Sequence, residues 1–310
     1  VEASSQEIVY QQLEETAKQH GVPRAILSDE GSDLSGGANR FCDAHPETAW
    51  VSDMPHKAAR LLKRRVEKTE RWNAFCSQAR QTIFQSGQRE LAFLTPRRQR
   101  TKARYMNLQS LLRWAQQVLA VLEDPPEIVL TYCTAQRLEE KFGWLREYRE
   151  EVERWSRWLE LTDTTVDIIR RHGYSAQTRK WVRNELSASV DDPDSFSLRD
   201  DLIAFVQEQS AKVHEGERLP GSTEVLESSF GKLKAIEGDQ QRSGFTSLIL
   251  IWSALFGDLS SNLIARAMSA TPLKVVKRWL TTHLGPTVQS KRAATTHALR
   301  KRAAEKPEET

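Results

Sequence analysis

Apolar residues recur at helical spacing through most of this chain, and only two short runs are dense enough to read as strands. RAILS, residues 24–28, runs into Asp29; TAWVS, residues 48–52, runs into Asp53. A helical stripe of Ile8, Val9, Leu13 and Ala17 precedes the first run. A capping box from Ser4 to Glu7 opens that stripe, and Gly21 and Pro23 close it. Between the strands, GSDLSGGANRF has three glycines and reads as a loop. Residues 1–56 therefore predict helix, strand, loop, strand, a piece of an α/β sheet. Two strands do not make a core by themselves.

After Pro55 the period changes. Residues 57–86 carry Leu61, Leu62, Val66, Trp72, Phe75 and Ile83, and residues 105–122 carry Leu108, Leu111, Leu112, Ala115, Val118, Leu119 and Leu122. Both stripes are helical. A Pro-Pro break follows. Residues 128–162 then read as a long helical stretch, and 163–172, 175–188 and 198–214 as further helices, with breaks at His172-Gly173 and DDPDS. Residues 57–215 thus form an all-α block. GERLPGST, 216–223, is a loop that feeds a helix beginning near Thr223. GFTSLILIWSALFG, 244–257, is apolar on nearly every side and predicts a buried helix, and the helical segment after it breaks at Thr271-Pro272. Residues 289–310 are polar and basic and predict a disordered tail.

Composition narrows this picture. The chain has 310 residues, 39% hydrophobic and 28% charged, enough for one large domain or two ordinary ones. No window approaches 18 consecutive apolar residues, so no membrane partner is expected. VEASSQEIVY lacks the basic and apolar regions of a signal peptide and has no initiator Met, which predicts missing upstream sequence. Cys42, Cys76 and Cys133 are scattered, fit no zinc spacing and suggest a reducing compartment. The net charge is only +3, but basic residues cluster at 57–71, 97–104 and 291–302. Each cluster suits either a solvated helix face or a nucleic-acid backbone; three together favour nucleic acid.

Carboxylates supply the candidate chemistry. Asp29 ends a strand, where α/β proteins hold ligands, and no local residue neutralises it. Asp53-Met-Pro-His56 ends the second strand and enters a helix. Far along the chain, STEVLESSFGKLK places Glu227 two helical turns before Lys234, on one face. A carboxylate and a lysine so placed suit a metal ion together with a phosphate. Glu224 is the rival acid, with Gly231 at the equivalent later position. Cys42-Asp-Ala-His45 repeats the spacing of the D-x-x-H motif but falls before the second strand and is treated as a decoy.

In this order, the motifs resemble the DDE transposases, whose RNase H-like fold is interrupted in the hAT group by an all-helical domain. Asp29 in ILSDEGSDL matches the second catalytic Asp. Asp53 and His56 in SDMPHKAA match the C/D-x-x-H signature, Glu227 in EVLESSFGKLK matches the catalytic Glu, and Lys234 the basic residue after it. The stretch between Asp29 and Glu227 is far longer than a strand-to-helix connection, so a domain is inserted between them. The resemblance implies a partial RNase H-like α/β core with a large all-α insertion, predominantly helical overall. Its parts are a sheet segment at 1–56, the insertion at 57–215, returning core helices at 216–288 and the tail at 289–310. No Asp precedes Asp29, so the first catalytic Asp is absent from this chain.

The activity implied is DNA cleavage and strand transfer with Mg²⁺ or Mn²⁺ held by Asp29 and Glu227, the ions activating the attacking oxygen and stabilising the leaving one. His56, Asp53 and Lys234 are implied to support the site or contact DNA, and Trp144 and Trp155 to stack on a base. Implied partners are DNA, as transposon ends and target, and further copies of the chain. Localisation would be cytoplasmic at the nucleoid in a prokaryote, nuclear in a eukaryote. The missing first Asp leaves an alternative, a non-enzymatic DNA-binding or scaffold protein derived from a transposase.

Overall fold

A computed structural model describes residues 4–67, 69–86, 91–96, 108–187, 192–239, 260–283 and 288–304. The chain divides into two compact units, residues 1–223 and 224–310. The first begins with α1 (Gln6–His20), β1 (Ala25–Ser28), α2 (Ser32–Ala44), β2 (Ala49–Ser52) and α3 (Met54–Val66). The strands are parallel, with Ala25 beside Ala49 and Ser28 beside Ser52. This is a β-α-β unit, and the expected loop between the strands is a helix. Its glycines serve packing: a Cβ on Gly37 would sit 2.6 Å from the Val9 Cβ, so α1 and α2 approach more closely than any larger residue permits. The N-cap of α1 is Ser5, whose hydroxyl accepts from the Ile8 N–H at 3.3 Å, one residue later than the capping box from Ser4 predicts.

The helical block follows as α4 (Glu70–Ser86), α5 (Leu108–Glu123), α6 (Glu127–Leu130), α7 (Ala135–Phe142), a 3₁₀ segment (Gly143–Tyr148), α8 (Arg149–His172), α9 (Thr178–Leu186) and α10 (Pro193–Ser210). Predominantly helical architecture is thus observed. The helical stretch expected over 128–162 is observed as four segments, α6, α7, the 3₁₀ segment and the start of α8; Thr134 caps α7, accepting from the Arg137 N–H at 3.2 Å, and Gly143 ends it. In α8 the residues Val152, Trp155, Leu159, Thr162, Val166 and Ile169 are all buried, a continuous stripe that carries the helix past the boundary expected at 162. DDPDS is more than a break. Asp192 caps α10 by accepting from the Ser195 N–H at 3.0 Å, with Pro193 in the first turn, so α10 starts before the predicted residue 198.

One apolar core runs from Val51 and Met54 through Trp72, Leu112, Phe142, Trp155 and Val206 to Leu219. The division expected between 56 and 57 falls inside α3, and the strand ends and the helical block share that core. The segment after α10 is tightly built. Tyr174 and Leu219 exchange backbone hydrogen bonds at 2.8 and 3.0 Å. Gly173 has φ +62°, and a Cβ there would meet the Leu219 carbonyl oxygen at 2.4 Å, so only glycine allows this crossing.

The second unit contains α11 (Glu224–Asp239), α12 (Ser261–Ala270), α13 (Leu273–His283) and α14 (Val288–Ala304). The break at Thr271-Pro272 is observed. The apolar helix expected at 244–257 lies outside the described residues. α14 occupies most of the segment expected to be disordered: VQSKRAATTHALRKRAA lacks glycine and proline and is rich in Ala, Lys and Arg, so local propensity suffices to write a helix there. No described helix is long and apolar enough to cross a membrane.

Candidate functional site at the strand ends

The parallel pair delivers Asp29 and Asp53 side by side, each one residue beyond the paired Ser28 and Ser52. Their surroundings are opposite. Asp53 is completely buried. It caps α3, its Oδ2 accepting from the His56 N–H at 3.1 Å and closely paired with His56 Nδ1. Its Oδ1 accepts from the Thr223 N–H at 2.8 Å. Burial pushes the Asp53 carboxyl up. The hydrogen bonds from the His56 ring and the Thr223 and His56 amides outweigh it and hold the group below the ordinary carboxylate range. One carboxylate therefore ties together the end of β2, the start of α3 and the residue just before α11.

The same junction is reinforced by Met54, whose N–H donates to the Gly221 carbonyl at 2.9 Å, and by Tyr174, whose hydroxyl donates to the Ser52 carbonyl at 3.2 Å. Burial pushes the Tyr174 phenol well up, so it remains a donor at neutral pH. A Cβ on Gly221 would lie 2.3 Å from Ile169 and 2.7 Å from Tyr174, so the chain reaches Asp53 only through a glycine.

Asp53 thus does not contact DNA, because it has no surface to offer and its oxygens are engaged inside the protein. Its contacts are structural, within the fold. His56 is about one-third exposed, with side-chain accessibility 32%. The contact between Nδ1 and the Asp53 carboxylate fixes the orientation of the ring.

Asp29 is half-buried at the tip of β1. Among the described residues its side chain takes a hydrogen bond only from the Gly31 N–H, at 3.0 Å to Oδ1. The adjacent Glu30 is compensated: Lys57 Nζ lies 3.0 Å from its Oε1, and Arg60 pairs closely with Oε2. Sequence reading picks out Asp29 but misses that Glu30 draws off the neighbouring basic residues. The signal was present, since 57–71 begins one turn into the helix that starts beside Asp29.

In the second unit, Glu224 and Glu227 both occupy the first turn of α11, Glu224 half-buried and Glu227 exposed, with Lys234 exposed further along. Asp29 and Glu227 belong to different units. Among the described residues no group of three or more acidic, His or Cys side chains gathers as a metal cluster. Asp29 nevertheless fits a hard cation, with one lightly used carboxylate at a strand end, and Asp53 does not.

Trp155 is buried at 1% exposure, edge-on to Trp72 at 4.8 Å and 5.3 Å from Phe75. No base can reach it without unpacking the core. Trp144 is half-buried, its Nε1 donating to Thr82 at 3.1 Å, with Phe75 and Tyr148 each 5.8 Å away. Both indoles belong to the aromatic centre of the helical block. His45 pairs with Glu14 at 2.9 Å, as a structural tie between α1 and α2.

The basic clusters separate in the same way. In 57–71, Arg65 pairs with Asp201 at 2.7 Å, Arg71 with Glu151 at 2.7 Å and Lys63 with Glu67 at 3.3 Å. Much of that positive charge is spent within the fold. Lys291 and Arg292 on α14 are exposed. Residues 97–104 lie outside the described residues. The three cysteines form no disulfide among the described residues. No family model matches the chain, and no curated protein and no solved structure is significantly similar to it.

Proposed function

We propose that this chain acts on DNA as part of a metal-dependent polynucleotidyl transferase of the DDE transposase type, built on an RNase H-like core. The observation that carries the reading is Asp29. It stands at the carboxyl end of a parallel strand, beside a second strand whose own terminal Asp is used up internally, and it retains ligand capacity that the protein does not fill. The order of parts supports it: a β-α-β unit, a long helical block, then a helix bearing Glu227 and Lys234 that starts one residue after the Asp53-bound Thr223. Asp29 and Glu227 would hold Mg²⁺ or Mn²⁺, which would supply charge stabilisation at phosphorus and activate the attacking oxygen. His56, oriented by Asp53, would stand beside that site. Exposed cations such as Lys291 and Arg292 would follow the DNA backbone.

The test has two readouts. Mn²⁺ binding is measured by titration calorimetry and electron paramagnetic resonance on the chain, on Asp29→Asn and on Glu227→Gln. Each substitution is expected to weaken binding by about tenfold or more. Binding of a DNA duplex is measured by anisotropy in the same variants and should survive both changes, with a salt dependence reporting phosphate contacts. Mn²⁺ binding indifferent to both substitutions removes the metal-dependent reading. Retained DNA binding would then leave the non-enzymatic DNA-binding alternative.

A further inference from the structure

The second unit holds a stretch whose charge differs from that of the rest of the chain. From Ser260 to Ala304 there is no Asp or Glu, and there are nine Lys or Arg residues. The whole chain nets only +3, so the remainder is net acidic. α12, α13 and α14 all fall within this stretch. Arg266, Lys274, Lys277, Arg278, Lys291 and Arg292 are exposed, and among the described residues none of them pairs with a carboxylate. The first unit does the opposite: Arg24, Arg65 and Arg71 each reach an acid at 2.7 Å. Lys274 and Arg278, four apart on one helix, repel each other, and an anionic partner relieves that repulsion.

α13 organises the charge. Lys274, Lys277, Arg278 and Thr281 recur at spacings of three and four and share one face of the helix. Val276, Trp279, Leu280 and His283 fall on the opposite face, where the Trp279 and His283 rings stack at 4.7 Å. The basic face runs for two turns, roughly 10 Å, which fits a duplex major groove about 12 Å wide. The lead into it is tightly built. Ser260 caps α12, accepting from the Leu263 N–H at 3.2 Å. α12 stops at Ala270, Thr271 is extended (φ −121°, ψ 92°), and Pro272 breaks the ladder, so α13 starts after two residues. A short helix, a tight break and a second helix that carries the contact side chains is the order of parts in helix-turn-helix DNA binders. A basic amphipathic helix also suits an anionic membrane surface. α14 favours the duplex: of its 17 residues only Val288 and Leu299 are large and apolar, so it has no face to sink among acyl chains, yet it carries five of the nine cations.

We propose that the basic face of α13 anchors duplex DNA, with Lys274, Lys277 and Arg278 each on a backbone phosphate and α14 adding further phosphate contacts. The anchor uses neither Asp29 nor Glu227 and needs no divalent ion. The inference deepens the proposed function and rests on its reading of DNA as the partner.

Fluorescence anisotropy of a labelled duplex, titrated with the intact chain in EDTA over a range of salt, tests it. Lys274→Ala, Lys277→Ala and Arg278→Ala combined should weaken binding by about tenfold or more and lower the salt slope by about 3, with an unchanged circular dichroism spectrum. The charge-keeping set Lys274→Arg, Lys277→Arg and Arg278→Lys should bind as the parent does. Lys18→Ala, Lys180→Ala and Arg183→Ala remove the same charge from exposed positions of the first unit and should leave binding nearly unchanged. A readout on the parent chain needs no variant: duplex should protect Lys274 and Lys277, and not Lys18, from acetylation. Undiminished binding by the α13 triple variant overturns the proposal, and so does an equal loss in the first-unit triple, which would make net charge the cause. Acetylation of Lys274 and Lys277 that duplex does not slow overturns it as well. Binding to phosphatidylserine vesicles without binding to duplex would assign the face to a membrane surface instead. Mn²⁺ binding at Asp29 and Glu227 decides the proposed function, and duplex binding in EDTA decides this one, so the two fail separately.

Discussion

Asp29 and Asp53 are chemically identical, lie at equivalent positions on neighbouring strands and have opposite roles. Asp53 is enclosed, caps a helix, grips Thr223 and is matched to His56. Asp29 is half-buried with a single backbone donor, and the adjacent cations go to Glu30. A strand-terminal carboxylate is therefore not a site because of its position. It is a site when the fold withholds partners from it. The nearby cations Lys57 and Arg60 are both taken by Glu30, the residue after Asp29.

The largest test of this contrast is Asp53→Ala. It removes an N-cap and the carboxylate that Thr223 and His56 use, so it should cost about 3 kcal/mol of stability in urea melts. Asp29→Ala in the same assay should change stability by no more than about 0.5 kcal/mol. Equal costs would erase the distinction between structural and available carboxylates. The next effect is on pH. Because Asp53 is held below its unfolded value, the folded state binds fewer protons than the unfolded chain in the acid range. The stability it supplies is fully present above the unfolded Asp value of about 3.9 and is lost as pH falls through that value towards the folded one. Asp53→Asn should flatten that acid-side decline. An undiminished decline would assign it to other carboxylates.

A smaller loss is expected from His56→Ala. It leaves Asp53 with its two backbone donors but without the ring, at a cost of about 1 to 2 kcal/mol. His56→Asn, which can still present an N–H, should recover part of this. If both variants cost the same, the ring contributes by packing and does not serve as a donor to Asp53.

How far the amino-acid sequence exposes this arrangement depends on the range of the interaction. The two strands, the helical block and the break at Thr271-Pro272 are legible because period, length and proline are local. α2 is not legible, because Gly36 and Gly37 read as loop signals while their actual use is a close approach to α1, thirty residues away in the chain. The same holds for Asp53. D-x-x-H is visible as a cap followed by a helix, but the Thr223 contact spans most of the first unit and has no local trace. Trp155 fails for the converse reason: a tryptophan in a charged helix looks available until its Trp72 and Phe75 neighbours are known. Asp29 was legible because its defining property is the lack of local partners, and local sequence can show that.

The smallest expected change in stability is the most informative about function. Asp29→Asn keeps the shape of the side chain and can still accept from the Gly31 N–H, so the loop after β1 has no reason to move. Stability should stay within about 0.5 kcal/mol of the parent chain. What the substitution removes is the negative charge, and a hard divalent cation responds to charge far more than a neutral N–H donor does. Loss of Mn²⁺ binding without loss of stability would therefore separate a ligand from a structural group in a single variant. Asp53→Asn cannot do this, because its charge and its fold contribution are the same thing. If Asp29→Asn instead destabilises the chain as Asp53→Ala does while leaving Mn²⁺ binding unchanged, Asp29 is a loop cap. The two strand ends would then differ only in how deeply they are buried.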